Sequence, residues 1–145
     1  MKEKILISAC LLGKACRYDG KSVPAVDQER LEEKYELIPI CPEVDGGLPT
    51  PRTPSERVGD RVIMRDGNDV TENYMRGAQH ALKLCIDNGV TKVLLKEKSP
   101  SCGKGMIYDG TFSRRLIPGN GVTAEMLLEN NIEVFGESEI DNLLK

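Results

Sequence analysis

The chain has 145 residues, of which 39% are hydrophobic and 30% charged, a composition typical of a globular protein with one core. Its formal net charge of −3 argues against a broad nucleic-acid surface, because phosphate binding requires clustered Lys and Arg. No apolar run approaches the roughly 20 residues of a membrane span, and the N-terminal apolar stretch is too short for a secretory signal. We therefore expect one cytoplasmic domain over residues 1–145, with no membrane partner.

The first half of the chain alternates short apolar segments with charged or turn-rich ones. The predicted elements are a strand at 4–9, a loop at 10–26, a helix at 27–36, a strand at 37–40, a Pro/Gly-rich passage at 41–60 and a hairpin or edge strand at 61–67. Asp27 is a suitable N-cap for the charged helix.

The second half repeats the alternation with longer helices. Its predicted elements are a helix at 71–88, a strand at 92–96, a polar loop at 96–105, a helix at 121–131, a strand at 132–136 and a closing helix at 137–145. Thr71 is the predicted cap of the longest helix, and Gly89 its end. One buried stripe on this helix is formed by Tyr74, Ala78, Ala81, Leu82 and Cys85.

Apolar strands that alternate with amphipathic helices indicate a parallel sheet with helices on both faces. The predicted fold is therefore α/β, a three-layer domain with a mainly parallel sheet, Rossmann-like or flavodoxin-like in general plan. The order of the strands cannot be read from one sequence.

Three cysteines follow the ends of three predicted strands. Cys10 and Cys41 come directly after the first and second strands, and Cys102 lies in the loop after the third. Ligands of an open parallel sheet collect outside the carboxyl ends of its strands, so these three thiols are expected to converge. Cys85 lies on the apolar helix stripe and is expected to pack in the core.

The cysteine spacing does not suit zinc. Structural zinc sites use pairs spaced C-x2–4-C, which this chain lacks, and the single histidine, His80, lies in the predicted long helix. Thiolates alone favour an iron–sulfur cluster, and three ligands to a four-iron cluster leave one iron open to a substrate. Cys16 shares the first loop with Cys10 and could be a fourth ligand, a sulfur acceptor or neither.

Polar side chains accompany these cysteines in sequence. Glu43 lies two residues beyond the second strand-end cysteine; it could be an ordinary surface-loop carboxylate, but a carboxylate near a metal centre suits a proton donor and acceptor. Ser99 and Ser101 lie beside Cys102. Either hydroxyl could orient a substrate or water, or cap a turn.

Other loop residues have two plausible uses. Tyr18, Asp19 and Arg52 could hold a small planar polar molecule or brace their loops. The segment "PGNG" (118–121) precedes a predicted helix, whose N-terminus could receive an anion.

Three segments carry a resemblance to a known family. "SACLLGKACRYDG" (8–20), "CPEVDGGLPTPR" (41–52) and "KSPSCGKG" (98–105) resemble the signatures of the thiouracil desulfidase (TudS)-like family, a prokaryotic domain family formerly of unknown function. The resemblance implies a 4Fe–4S cluster whose fourth iron takes sulfur from a thiolated nucleobase without net redox change. The family's ligand cysteines match Cys10, Cys41 and Cys102, with Cys16 as a further candidate.

The resemblance also implies roles in chemistry. The family's acid/base glutamate matches Glu43, and its catalytic serine matches Ser99, with Ser101 as the adjacent alternative. The implied reaction is a hydrolytic desulfuration of a thiouracil-like base or related thioamide, in which water activated by Glu43 replaces the sulfur. Two other hypotheses are a non-catalytic metal-, cluster- or sulfur-carrier module, and a thiol enzyme that passes persulfide through Cys10 or Cys16.

Overall fold

The computed structural model describes residues 2–13 and 26–144. The strands are β1 (Glu3–Ser8), β2 (Tyr35–Ile40), β3 (Ser55–Val58), β4 (Arg61–Met64), β5 (Lys92–Leu95), β6 (Met106–Tyr108), β7 (Leu116–Pro118) and β8 (Glu133–Gly136). The helices are α1 (Gln28–Lys34), α2 (Pro42–Asp45), α3 (Thr71–Asn88), α4 (Val122–Glu129) and α5 (Ile140–Leu144). None of the helices in these ranges combines the length and apolar character needed to cross a membrane.

A parallel sheet in the order β2-β1-β5-β8 forms the centre of the fold. Neighbouring residues of its inner strands point to opposite faces, as the two-residue period of a strand requires. One face packs on α3 and α4 through Leu6, Val93, Leu95, Ala81, Cys85, Ala124 and Leu127. The other packs on α1 and α5 through Ile5, Ile7, Leu94, Leu31 and Leu143. The predicted three-layer α/β architecture is confirmed, as is the core position of Cys85, which is 1% exposed.

Two antiparallel hairpins lie outside the central sheet. One pairs β3 with β4, which confirms the predicted hairpin near residue 61. The other pairs β6 with β7 and was not predicted, because strands of three residues leave little periodicity in a sequence. The short helix α2, inside the Pro/Gly-rich passage, was also missed.

The ends of two helices can be compared with the predicted caps. Asp27 accepts a hydrogen bond from the amide of Arg30 and caps α1, as predicted. The cap predicted at Thr71 is wrong: Val70 is the N-cap of α3, and the Thr71 hydroxyl accepts from the amide of Val62 at 2.8 Å. The Thr71 hydroxyl therefore bonds to β4 and does not cap the helix. Gly89 ends α3 in the left-handed conformation, as predicted.

Candidate functional site

A cavity of about 390 Å³ opens at the carboxyl ends of the parallel strands. Cys10 reaches it from the 3₁₀ turn after β1, Cys41 from the end of β2 and Cys102 from the loop after β5. Cys10 and Cys41 are half-buried, and Cys102 is 5% exposed. Three thiols that are distant in sequence therefore share one cavity.

The loop that carries Cys102 is folded by a serine. The Ser99 hydroxyl oxygen accepts hydrogen bonds from the amides of Ser101 (3.1 Å) and Cys102 (3.0 Å). The Ser99 carbonyl accepts from the amide of Gly103 at 2.8 Å. This serine lies at the cavity and at the same time fixes the backbone of the cysteine, so the turn-capping use expected from the sequence is present.

The N-terminus of α4 holds the same loop from the other side. The amides of Val122 and Thr123 donate to the carbonyls of Pro100 and Ser101 at 2.9 and 2.8 Å. A Cβ atom on Gly121 would stand 2.4 Å from the Ser101 carbonyl carbon, so only glycine permits this approach. These helix-terminal amides are occupied by the loop, which corrects the expectation that they receive an anion.

The Cys102 sulfur lies in a buried, hydroxyl-lined environment. Burial raises the pKa of the Cys102 thiol to about 12; hydrogen bonds with Ser8 and Ser101 lower it, and the nearby charges of Glu43 and Cys41 raise it. Ser8 and Ser101 are 2% and 1% exposed. Two buried hydroxyls thus contact the sulfur, and they favour its ionised form.

Helix α2 positions Cys41 and Glu43 together. Cys41 is its N-cap, and Pro42 occupies the first turn, where the missing N–H carries no penalty. The Asp45 amide donates to the Cys41 carbonyl at 2.8 Å, and the Cys41 amide donates to the Asp45 carboxylate at 3.4 Å. A single helical turn therefore fixes the thiol and the carboxylate relative to each other.

Helix α2 lies directly on α3. A Cβ on Gly46 would stand 2.0 Å from the Asn73 carbonyl oxygen, and the Asn73 side chain donates to the Gly46 carbonyl at 2.9 Å. His80 is 48% exposed on α3, with its Nε2 3.9 Å from the Asp45 carboxylate. The sequence placed His80 on this helix and not among the metal ligands.

Two side chains clamp the Glu43 carboxylate. The Arg52 guanidinium donates to Oε2 at 2.5 Å, and the Tyr74 hydroxyl donates to Oε1. The Arg52 side chain is 2% exposed and that of Glu43 19%. The carboxylate is therefore held on two sides, while part of it stays accessible.

The charges within this clamp explain two shifted pKa values. Burial raises the pKa of Tyr74 well above its ordinary value, and the charge of Glu43 raises it further, so the hydroxyl stays protonated and donates. Burial lowers the pKa of Arg52, but the charge of Glu43 and the hydrogen bond to it raise it, with a net upward shift. A neutral donor and a permanent cation thus face one carboxylate.

The remaining predicted site residues fall into two groups. Ser101 Oγ lies 2.8 Å from Thr123 Oγ1, both buried, so this serine links the cysteine loop to α4. Cys16, Tyr18 and Asp19 lie outside the described residues. Arg52 is among the cavity residues, but the guanidinium contacts that can be described are to Glu43 and its own loop; its role in substrate binding stays a prediction.

The donor set at the cavity fits an iron–sulfur cluster. In residues 2–13 and 26–144, no three His, Cys, Asp or Glu side chains gather closely enough to hold a single metal ion. A cluster distributes its cysteine ligands over separate irons, so their sulfurs need not meet around one ion. Three soft thiol donors around one cavity match that requirement.

Sequence reasoning missed three residues at this site. Tyr74 was assigned to the buried stripe of α3, and the helical spacing of the apolar residues does not reveal where its hydroxyl lies. Ser8 ends β1 two residues before Cys10, a position that could have drawn attention to it. Glu56 lies in β3, faces the cavity and is only 8% exposed. Nothing in the sequence around this charged residue indicates that it is buried at a site.

Comparison with known proteins identifies the family. Residues 5–139 match the family described as 2-thiouracil desulfurase. The uncharacterized protein YbbK of Bacillus subtilis (strain 168) is 39% identical over 150 residues, covering 97% of this chain and 99% of that protein. The solved structure of the 4Fe–4S-dependent thiouracil desulfidase TudS aligns with a TM-score of 0.92 and 47% identity, covering 98% of this chain and 95% of that one. The chain belongs to the 2-thiouracil desulfurase family.

Proposed function

We propose that this protein is a 4Fe–4S-dependent desulfidase that removes sulfur from a thiolated nucleobase such as thiouracil, or from a related thioamide. The reaction is a hydrolysis without net redox change, and it releases sulfide. The observation that carries the proposal is that Cys10, Cys41, Cys102 and Glu43 line one cavity. Membership of the 2-thiouracil desulfurase family and the likeness to TudS support it.

Cys10, Cys41 and Cys102 would hold the cluster through their thiolates. When bound, a cluster with three protein ligands supplies a soft Lewis acid that makes sulfide a better leaving group. The hydroxyls of Ser8 and Ser101 contact the Cys102 sulfur, and hydrogen bonds to ligand sulfurs stabilise the thiolate and tune such centres.

Glu43 acts as the general base toward water and returns the proton during sulfide release. Arg52 and Tyr74 fix the direction of its carboxylate, which removes the need to order it during the reaction. Each carboxylate oxygen has a second lone pair, and the side chain is partly accessible, so water can reach it. The clamp therefore leaves the carboxylate competent to accept a proton.

Ser99 is the better of the two serine candidates. Its hydroxyl oxygen already accepts two backbone hydrogen bonds, which leaves the O–H as the group available to a ligand. It can therefore donate to the substrate or to water at the cavity. The Ser101 hydroxyl is engaged with Thr123 and with the Cys102 sulfur, which favours a structural role.

The cavity and the composition point to a small substrate in a reducing compartment. A volume of about 390 Å³ is in the usual range for small-molecule sites and suits a single-ring base. Five cysteines, an odd number, suit the cytoplasm better than an oxidising compartment. We expect free bases or small thioamides as partners, not an extended nucleic acid.

The test is turnover by protein prepared without oxygen. The protein is reconstituted with iron and sulfide, incubated with 2-thiouracil or 4-thiouracil, and assayed for uracil and released sulfide. We expect stoichiometric formation of both. A brown, fully loaded protein that converts neither thiouracil nor simple thioamides would contradict the proposal. It would indicate a cluster-binding or sulfur-carrier module and not an enzyme.

A further inference from the structure

Glu56 is a buried carboxylate at the cavity that the mechanism above does not use. It lies in β3, lines the cavity and is 8% exposed. Its Oε1 accepts hydrogen bonds from the amides of Gly110 (2.9 Å) and Phe112 (3.2 Å), in the turn between β6 and β7. One carboxylate oxygen is thus fixed by the backbone of a hairpin, and the other is held in one place with it.

The second oxygen of Glu56 has no such partner. Among residues 2–13 and 26–144, Oε2 makes no hydrogen bond or ion pair. No fully buried side-chain nitrogen or oxygen in those ranges lacks a partner, so Oε2 is not sealed in the protein. Because Glu56 lines the cavity, this space is the one from which a ligand can reach the carboxylate.

We infer that Glu56 Oε2 accepts a hydrogen bond from a ring N–H of the substrate and selects thioamides that carry one. The inference rests on the proposed function, because it concerns the substrate of that site. A thiolated pyrimidine base presents N–H donors beside or across from its thiocarbonyl. A buried acceptor that stays unpaired penalises ligands without the donor more than an apolar wall would.

The fixed geometry of Glu56 makes this recognition selective. Because two amides hold Oε1, the carboxylate cannot rotate freely, and Oε2 presents its lone pairs in one direction. A base methylated at the bonded nitrogen offers no donor and adds bulk at the same point. Such a base is expected to bind and react poorly for both reasons.

The substitution Glu56→Gln replaces the hydrogen-bond acceptor that faces the cavity with a donor. Only the carboxamide oxygen can accept from the Gly110 and Phe112 amides, so it takes the place of Oε1 and keeps the hairpin anchored. The NH₂ group then takes the place of Oε2 and presents a donor to the substrate donor. The fold is preserved while the recognition is reversed. Glu129→Gln, an exposed position at the end of α4, makes the same chemical change away from the cavity.

The test compares 4-thiouracil with its N1-methyl and N3-methyl derivatives in wild type, Glu56→Gln and Glu129→Gln. Glu56→Gln is expected to lower kcat/KM for 4-thiouracil on the order of ten- to hundredfold, the worth of one hydrogen bond to a charged group. The loss should largely vanish on the derivative methylated at the bonded nitrogen. Glu129→Gln should behave as wild type. An equal loss on all three substrates, or no loss on any, would overturn the inference.

A binding measurement separates this inference from the proposed function. Calorimetry records the affinity of uracil and of the two N-methyluracils for the same three proteins, independent of turnover. Glu56→Gln should weaken uracil binding and spare one methyl isomer. If wild type binds uracil with this selectivity but desulfurates nothing, the proposed function fails and the role of Glu56 stands. If turnover is normal and neither assay reveals selectivity, the role of Glu56 fails alone.

Discussion

Gly77 of α3 lies so close to Pro42 of α2 that a Cβ atom at Gly77 would stand 1.9 Å from the Pro42 carbonyl oxygen. The two helices approach through backbone atoms, and this contact sets the position of the turn that begins at Cys41 and contains Glu43. The scaffold of the site therefore depends on the absence of a side chain.

Gly77→Ala is expected to push α2 away from α3 and to displace both the thiol and the carboxylate. We expect a clear loss of bound iron and of activity, with destabilisation of about 1–3 kcal/mol from overpacking despite the better helix propensity of Ala. Iron content and urea unfolding measure the two effects. Gln79→Ala, an exposed position on the same helix, should change neither; a Gly77→Ala protein with full iron and wild-type turnover would refute this account of the contact.

Tyr74→Phe removes the hydroxyl that donates to Glu43 and leaves the ring in the core. We expect full cluster loading and a fall in kcat of about ten- to hundredfold, because the carboxylate loses one of its two positioning bonds. Steady-state kinetics beside an iron assay measures this. Since the substituted group does not face the substrate, KM should change little. A normal kcat would mean that Arg52 alone orients Glu43.

Glu43→Gln is expected to keep the colour of the cluster and to lose turnover by about 10²- to 10⁴-fold, the usual contribution of general acid–base catalysis. The carboxamide can still bind Arg52 through its oxygen, so the loop should stay in place. Single-turnover desulfuration is the measurement. Normal single-turnover rates in this variant would show that another group activates water.

Ser99→Ala and Ser101→Ala should have different effects. The Ser101→Ala protein leaves the buried Thr123 hydroxyl without its partner, and we expect a loss of about 1–3 kcal/mol in stability with modest kinetic change per loaded cluster. Ser99→Ala should lower kcat per iron more than Ser101→Ala does, because its O–H is the group available at the cavity; it also removes the acceptor of the Ser101 and Cys102 amides and so lowers stability as well. Thermal unfolding and kcat per iron distinguish the two variants. A larger loss of kcat per iron in Ser101→Ala than in Ser99→Ala would exchange the two assignments.

The arrangement of the fold and the grouping of the cysteines follow from local patterns in the sequence. Apolar strands of four to six residues, each followed by a cysteine, place Cys10, Cys41 and Cys102 at one edge because parallel strands share a direction. Few tertiary contacts need to be known for that conclusion.

Other parts depend on contacts between distant segments and could not be predicted. Tyr74 reads as a core residue, and only the packing of α3 on α2 brings its hydroxyl to Glu43. Glu56 falls within the predicted Pro/Gly-rich passage, and its burial depends on the hairpin of β6 and β7, which is itself too short to recognise. The hydroxyl of Thr71 was assigned to a helix cap because nothing in the nearby sequence indicates that it accepts a hydrogen bond from β4.

The most direct test of the account measures iron, acid-labile sulfide and thiouracil turnover in one anaerobic preparation of wild type and four cysteine variants. We predict about four irons per chain and full turnover in wild type and in Cys85→Ala, whose thiol lies in the core. Cys10→Ala, Cys41→Ala and Cys102→Ala should lose iron and activity together. Retention of both in any of these three variants would contradict the assignment of the cluster to this cavity.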